Sequence, residues 1–173
     1  ASAAQSTAEQ PPDSIRQQVE RRIEMLNQMR ESLASTIDTP TVDKSTFKRV
    51  CAPVGMRARE LAAENGWTVQ QLAEKYRNPA HALDAEAKGF HDTFAASEDT
   101  TEMWVRTRRN ETEGWRYARR ITVQPTCLHC HGPKEQRPDF VKQGYPEDRA
   151  YGFEAGDLRG LYTVFVPDST VTP

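Results

Sequence analysis

Apolar residues at Ile15, Val19, Ile23, Leu26, Met29 and Leu33 recur every three or four positions. That spacing places them on one face of a helix, so the pattern predicts a long amphipathic helix over residues 14–35. Ser14 and Gln17 fit a capping box at its start. A single stripe of this kind must be buried, either in the core of its own chain or as the seam of a homodimer; core burial is the first expectation.

A second stripe, Phe47, Val50, Val54, Ala58 and Leu61, predicts another helical stretch that stops at Asn65-Gly66. Pro53 interrupts it, because proline lacks the amide proton and clashes with the carbonyl four residues back. The helix is therefore expected to break near Ala52, beside Cys51. The following "WTVQQLAEKYRNPAHALDAEAKGFHDTF" reads as a short helix, a turn at Arg77-Asn78-Pro79 and a further helix through Phe90 and Phe94.

Beyond residue 102 the chemistry of the pattern changes. "MWVRTRRNETEGWRYARRITVQ" is rich in Trp, Tyr, Val, Ile and Thr with partial alternation, which predicts two strands around a turn at Asn110 to Gly114. "GDLRGLYTVFVP" predicts a third strand ending at Pro167. Helices first and antiparallel strands later give an α+β fold rather than alternating βαβ units.

Length and composition narrow this picture. The 173 residues suit one domain, here 13–173, preceded by a polar tail over 1–12 that lacks periodicity and is expected to be disordered. The small-residue start "ASAAQSTAEQPP" is as expected if a secretory signal had been cut away, and the expectation it gives is a periplasmic protein. With 23 basic and 25 acidic residues the net charge is −2, which argues against a nucleic-acid binder, whose footprint is a strongly basic face. No apolar run approaches the roughly 20 residues of a membrane span, in keeping with a mean hydropathy of −0.79.

The chain has three cysteines, an odd number that excludes complete internal pairing. Two of them belong to Cys127-Leu128-His129-Cys130-His131, the C-x-x-C-H signature of c-type haem attachment. Two thiols at this spacing can each form a thioether to one vinyl group of the same porphyrin, and the adjacent His131 then ligates the iron. A zinc site would need a second ligand pair, and a thioredoxin-like redox motif would need a strand–helix setting. Neither is in the sequence. The expected cofactor is one covalently bound haem c.

The second axial ligand is open on the residues alone. Candidates are Met25, Met29, Met56, Met103, His81, His91 and Cys51. Met25, Met29 and Met103 fit core positions, and Cys51 is either a small buried hydrophobe or a thiolate ligand that would stabilise ferric iron. Arg77, in "RNP", is a candidate for bidentate contact with a haem propionate.

Taken in order, Cys51, "RNPAH" with Glu86 downstream, "CLHCHG", "YPEDRAYGF" and "GDLRGLYTV" resemble the c-type haem proteins with a PAS-like fold, first described from a cyanobacterium, whose domain also occurs in bacterial sensor proteins. The resemblance covers roughly residues 47–167. His81 stands where the family pattern has Asn, and Ala85 where it has an aromatic residue. It implies a PAS-like antiparallel sheet with flanking helices, and axial ligation by His131 and, on the other side, Cys51. The function it implies is a redox or small-gas sensor with a six-coordinate haem, partnered by a redox protein or a diatomic gas. An electron-transfer cytochrome c of the periplasm is the alternative, and haem catalysis using His81 or His91 comes third.

Overall fold

The computed structural model describes residues 9–39 and 41–171, so the expectation of a disordered start lies for its first eight residues outside the described chain. The order of elements is α1 (Asp13–Ala34), α2 (Lys44–Val50), α3 (Ala52–Asn65), β1 (Thr68–Leu72), α4 (Ala85–Ala96), β2 (Glu102–Arg109), β3 (Thr112–Thr122), α5 (Leu128–His131), α6 (Asp139–Gly144) and β4 (Leu158–Pro167). The four strands form one antiparallel sheet in the order β1-β4-β3-β2. The fold is α+β, as the pattern predicts.

The α1 stripe goes into the core. Ile15, Val19, Ile23 and Leu26 pack with Val54 and Ala58 of α3 against Tyr117, Ile121, Tyr162 and Val164 on one face of the sheet. The opposite face is covered by α4, whose Ala87, Phe90 and Phe94 meet Leu72, Ala118 and Leu161. This apolar burial on both faces is the main source of stability. Met25, by contrast, is 61% exposed and lies off the stripe.

Local chemistry decides the helix ends. The expected box at Ser14 and Gln17 does not form: α1 starts directly after Pro12 with no side-chain cap. The capping box of this chain is at α2, where Asp43 accepts from the Thr46 amide at 2.9 Å and the Thr46 hydroxyl returns to the Asp43 amide. The break at Pro53 falls where expected. α2 ends at Val50, Cys51 caps it, and α3 begins at Ala52 with Pro53 in its first turn, where a missing amide proton costs nothing. Gly66, at φ 70°, closes α3 in the left-handed conformation.

The short helix expected after Trp67 is instead β1. Its Gln70, Gln71 and Leu72 are good helix formers, but Thr68 to Leu72 pair with Phe165 to Leu161 along the edge of the sheet, and pairing overrides propensity. The hairpin turn is tighter than expected, with Asn110 and Glu111 both at positive φ (49° and 66°), a two-residue turn whose twist matches the strands. Gly114 already belongs to β3.

One ion-pair network ties α4 to the sheet. Arg116 on β3, with its side chain 1% exposed, donates twice to Asp84 at 2.8 and 2.7 Å and once to Glu86 at 3.0 Å. Asp84 is also the N-cap of α4, accepting from the Ala87 amide at 2.9 Å. The Arg116 hydrogen bonds, helped by the Ala87 amide, hold the Asp84 carboxyl well below the usual carboxylate range. A depressed pKa contributes stability that is complete above the unfolded value of about 4 and is lost as pH falls through the folded value. Asp84→Ala is therefore expected to cost about 1–3 kcal/mol at pH 7, discounted for the partial exposure of Asp84. It should also make the remaining stability less sensitive to acid. Thermal unfolding followed by circular dichroism at pH 7 and at pH 3 checks both.

Candidate functional site

A cavity of about 420 Å³ opens at the end of the sheet where β1 and β3 finish and β4 begins, a size that suits a cofactor. Its walls come from α2 and α3, from the Tyr76–His81 segment and from the C-x-x-C-H turn, with Ala73, Ile121 and Gly160 on the sheet side. The lining includes Arg30, Arg59, Arg77 and Arg159 and, among the described residues, not one Asp or Glu. Arg30 is turned to neutral partners, the Tyr162 hydroxyl at 2.7 Å and Gln71. Arg159 donates to the Lys75 carbonyl at 3.2 Å. Burial, with the neighbouring Arg30 and Arg77 charges, pulls the Arg159 pKa down to about 10. Such a surface favours an anionic ligand.

Cys127 ends a turn of 3-10 helix, Pro125–Cys127, that runs straight into α5. Gly132 follows, its amide donating to the Leu128 carbonyl at 3.0 Å. A Cβ on Gly132 would lie 2.6 Å from that same carbonyl oxygen, so the residue after His131 has no room for a side chain. The turn is then zipped to the segment before β4: the Gly152 amide donates to the Gly132 carbonyl at 2.7 Å, and the Phe153 amide to the His131 carbonyl at 3.1 Å.

Beneath this turn lies Asp148, whose side chain is 0% exposed. It pairs with Arg77 at 3.3 Å and Arg137 at 2.9 Å, and accepts from the Ala150 amide at 2.9 Å. Arg77 in turn donates through Nη2 to the carbonyls of Cys130 at 2.7 Å and Ala150 at 3.1 Å. Arg77 thus braces the cysteine turn from inside, with Nε and Nη2 spent on protein groups.

His131 faces the cavity and is fixed by two contacts. Its Nδ1 lies 2.9 Å from the Ala150 carbonyl, an acceptor only, so Nδ1 carries the proton and Nε2 keeps its lone pair. The Phe153 ring meets it edge-on, with centroids 6.2 Å apart. Burial, together with the Arg159 and Arg77 charges, keeps the His131 pKa well below its ordinary value. The ring is therefore neutral, oriented and of the tautomer that donates to a metal through Nε2.

Cys51 lines the same cavity from the α2–α3 junction. It is exposed to solvent. Protein nonetheless surrounds it, and burial pushes its thiol pKa up against the opposing Arg30 charge. Burial likewise raises Cys130, to about 11, with the nearby Cys51 adding to the effect. Cys127 packs beside Val123, Ala150 and Phe153, and all three cysteines are free thiols. Among the described residues no three His, Cys, Asp or Glu side chains converge as a group that could hold a metal ion.

The other candidate ligands separate cleanly. Met56 and His81 line the cavity. Met25 faces solvent, Met103 packs with the α4 layer, and His91 pairs with Glu74 at 3.7 Å. Asp148, Ala150 and Arg159 escaped the sequence reading as parts of the site. Asp148 and Ala150 lie in "YPEDRAYGF" and Arg159 in "GDLRGLYTV", and nothing in their spacing ties them to a turn some 20 residues earlier.

Comparison with known proteins adds the family. No curated protein matches the chain. The crystal structure of the cyanobacterial heme-protein Tll0287 matches with a TM-score of 0.80 and 46% sequence identity, over 91% of this chain and 98% of that one. A family model described as Tll0287-like matches residues 8–167. With nearly its whole length inside that model, the chain belongs to the Tll0287-like family.

Proposed function

We propose that the chain holds one haem c and serves as a redox or small-gas sensor in the periplasm, with the PAS-like character that its resemblance implies. Cys127 and Cys130 would carry the thioether bonds, His131 would supply one axial donor through Nε2, and Cys51 the other. The residues fit the group. The cavity has the right size, the neutral His131 is held in its metal-binding tautomer, and a lining of four arginines without an acid suits a ligand with two propionates. When bound, the haem supplies an iron that changes oxidation state and accepts two axial donors.

The observation that carries the sensor reading is a difference between the two donors. His131 is locked by Ala150, by Phe153 and by the braced turn. Cys51 sits at the seam between two helices, capping one and starting the next. A thiolate is a weaker donor to ferrous than to ferric iron and weaker still once protonated. Loss of Cys51 on reduction would free a backbone joint, which is the bistable element a switch requires.

The test is spectroscopic. Ferric wild-type protein is expected to be low-spin with a thiolate signature that Cys51→Ala abolishes, and the reduced wild type is expected to bind carbon monoxide. An unchanged ferric spectrum in Cys51→Ala would move the ligand to Met56 or His81. Reduced protein that refuses both carbon monoxide and nitric oxide would favour the electron-transfer reading.

A further inference from the structure

Glycine inside a helix costs about 1 kcal/mol relative to alanine, and a buried packing contact is the usual reason to keep one. Gly55 sits at the end of the first turn of α3 with no such reason: a Cβ built on it meets nothing within 4 Å. It nevertheless faces the cavity, beside Ala52 and Arg59. The opposite face of α3 is occupied by Val54, Ala58 and Leu61 in the core. On the cavity side of this helix Ala52 and Gly55 are small and are flanked by the longer Met56 and Arg59, so the wall is lowest at Gly55.

Arg59 continues that face one turn beyond Gly55. It is exposed and lines the cavity. Its neighbour Arg57 turns the other way and is paired with Glu60 at 2.9 Å and Glu64 at 3.1 Å, whereas Arg59 has no ion pair among the described residues. At a rise of about 1.5 Å per residue, Gly55 stands roughly 6 Å and Arg59 roughly 12 Å along the helix from Cys51. The side chain of Arg59 then reaches outward or back by several more ångströms.

Haem chemistry gives this spacing a meaning. In a haem c the thioethers form on one edge of the macrocycle and the two propionates leave from the opposite edge, with the iron between. Arg77 binds the Cys130 carbonyl and so belongs to the thioether edge. A propionate partner must come from the far side of the axial ligands, and α3 runs from Cys51 toward Arg59 along one wall of the cavity.

Resting on the haem reading above, we propose that α3 is the cofactor's second wall: Gly55 leaves the space against which the flat macrocycle lies, and Arg59 holds a propionate carboxylate. Arg77 is then a brace for the attachment turn rather than the propionate contact.

Holoprotein from wild type, Gly55→Ala, Gly55→Val, Arg59→Gln and Arg59→Lys tests this, with covalent haem scored by in-gel haem staining, ligation by electronic spectra and propionate environment by resonance Raman and redox titration across pH. The expected results are a progressive change in the ligation spectrum from Gly55→Ala to Gly55→Val, and in Arg59→Gln a lower reduction potential with an extra pH-dependent step absent from wild type. Arg59→Lys should restore the potential in part while still shifting the propionate bending band. Gly55→Ala keeps the glycine arm decisive if the valine variant fails to fold, because alanine by itself favours the helix. Wild-type ligation in both glycine variants, or a wild-type potential, pH profile and propionate band in Arg59→Gln, would overturn the proposal. Wild-type protein without covalent haem would instead overturn the haem reading on which it rests.

Discussion

Replacing Asp148 by alanine is expected to cost about 3–5 kcal/mol, because removing one member of a buried ion cluster leaves the others charged and unpaired. Two guanidinium groups, those of Arg77 and Arg137, lose their shared carboxylate, and the Ala150 amide loses its acceptor. For a chain of this size each kcal/mol moves the melting temperature by about 2–4 °C, so the midpoint should fall by roughly 6–20 °C. The damage should also be local. Ala150 is the residue whose carbonyl orients His131, and Arg77 is the brace of the cysteine turn. Asp148→Asn retains the shape and one acceptor but turns a donor toward the arginines, so it should fall between wild type and alanine. Urea unfolding of the three proteins measures the series; a melting point unchanged in Asp148→Ala would remove this residue from its supporting role.

The second large effect is expected at Gly160. A Cβ there would collide with the Leu72 backbone carbonyl and press on the Ala73 side chain at 3.2 Å. Neither can yield easily, since Leu72 is in β1 and Leu161, the next residue, is its partner in β4. Overpacking against backbone costs about 1–3 kcal/mol, and here the edge strand must separate from the sheet to relieve it. Gly160→Ala should therefore lower the melting point and speed amide exchange along Thr68 to Leu72. Gly89→Ala, on α4, where a Cβ meets nothing within 4 Å, is the matched control and should be neutral or stabilising.

These two residues also show where sequence reasoning stops. The α1 stripe, the break at Pro53 and the β2–β3 hairpin are local signals: periodicity, a missing amide proton and strand-forming side chains between turn residues. Each could be read within a window of a few residues, and the structure places each where it was expected. β1 could not be read this way, because its partner, β4, is some 90 residues away and its own residues prefer helix. The site divides along the same line. Cys127, Cys130 and His131 announce themselves by spacing, whereas Cys51 is one of several candidates on the residues alone and is singled out by the family resemblance. Asp148 and the Ala150 carbonyl act through space on a turn that they follow in sequence, and Gly160 is constrained by a strand that precedes it by a long stretch of chain. The same holds for Arg77: its sequence neighbourhood shows a turn, while its hydrogen bonds lie with residues 130, 148 and 150.

The strand order β1-β4-β3-β2 sets a sequence of events in time as well as in space. β4 is the last strand to emerge from a ribosome or a translocation pore, and it is the one that joins β1 to β3. Until it arrives, β1 has no partner in the sheet and the cavity has no sheet-side wall at Gly160. Cys127 and Cys130 lie in the connection between β3 and β4, so both thiols emerge before the compartment around them can close. If Cys127 and Cys130 carry the haem as proposed, a chain built in this order would offer its cysteine turn for attachment as an open segment, and would shut it away by the same step that completes the fold.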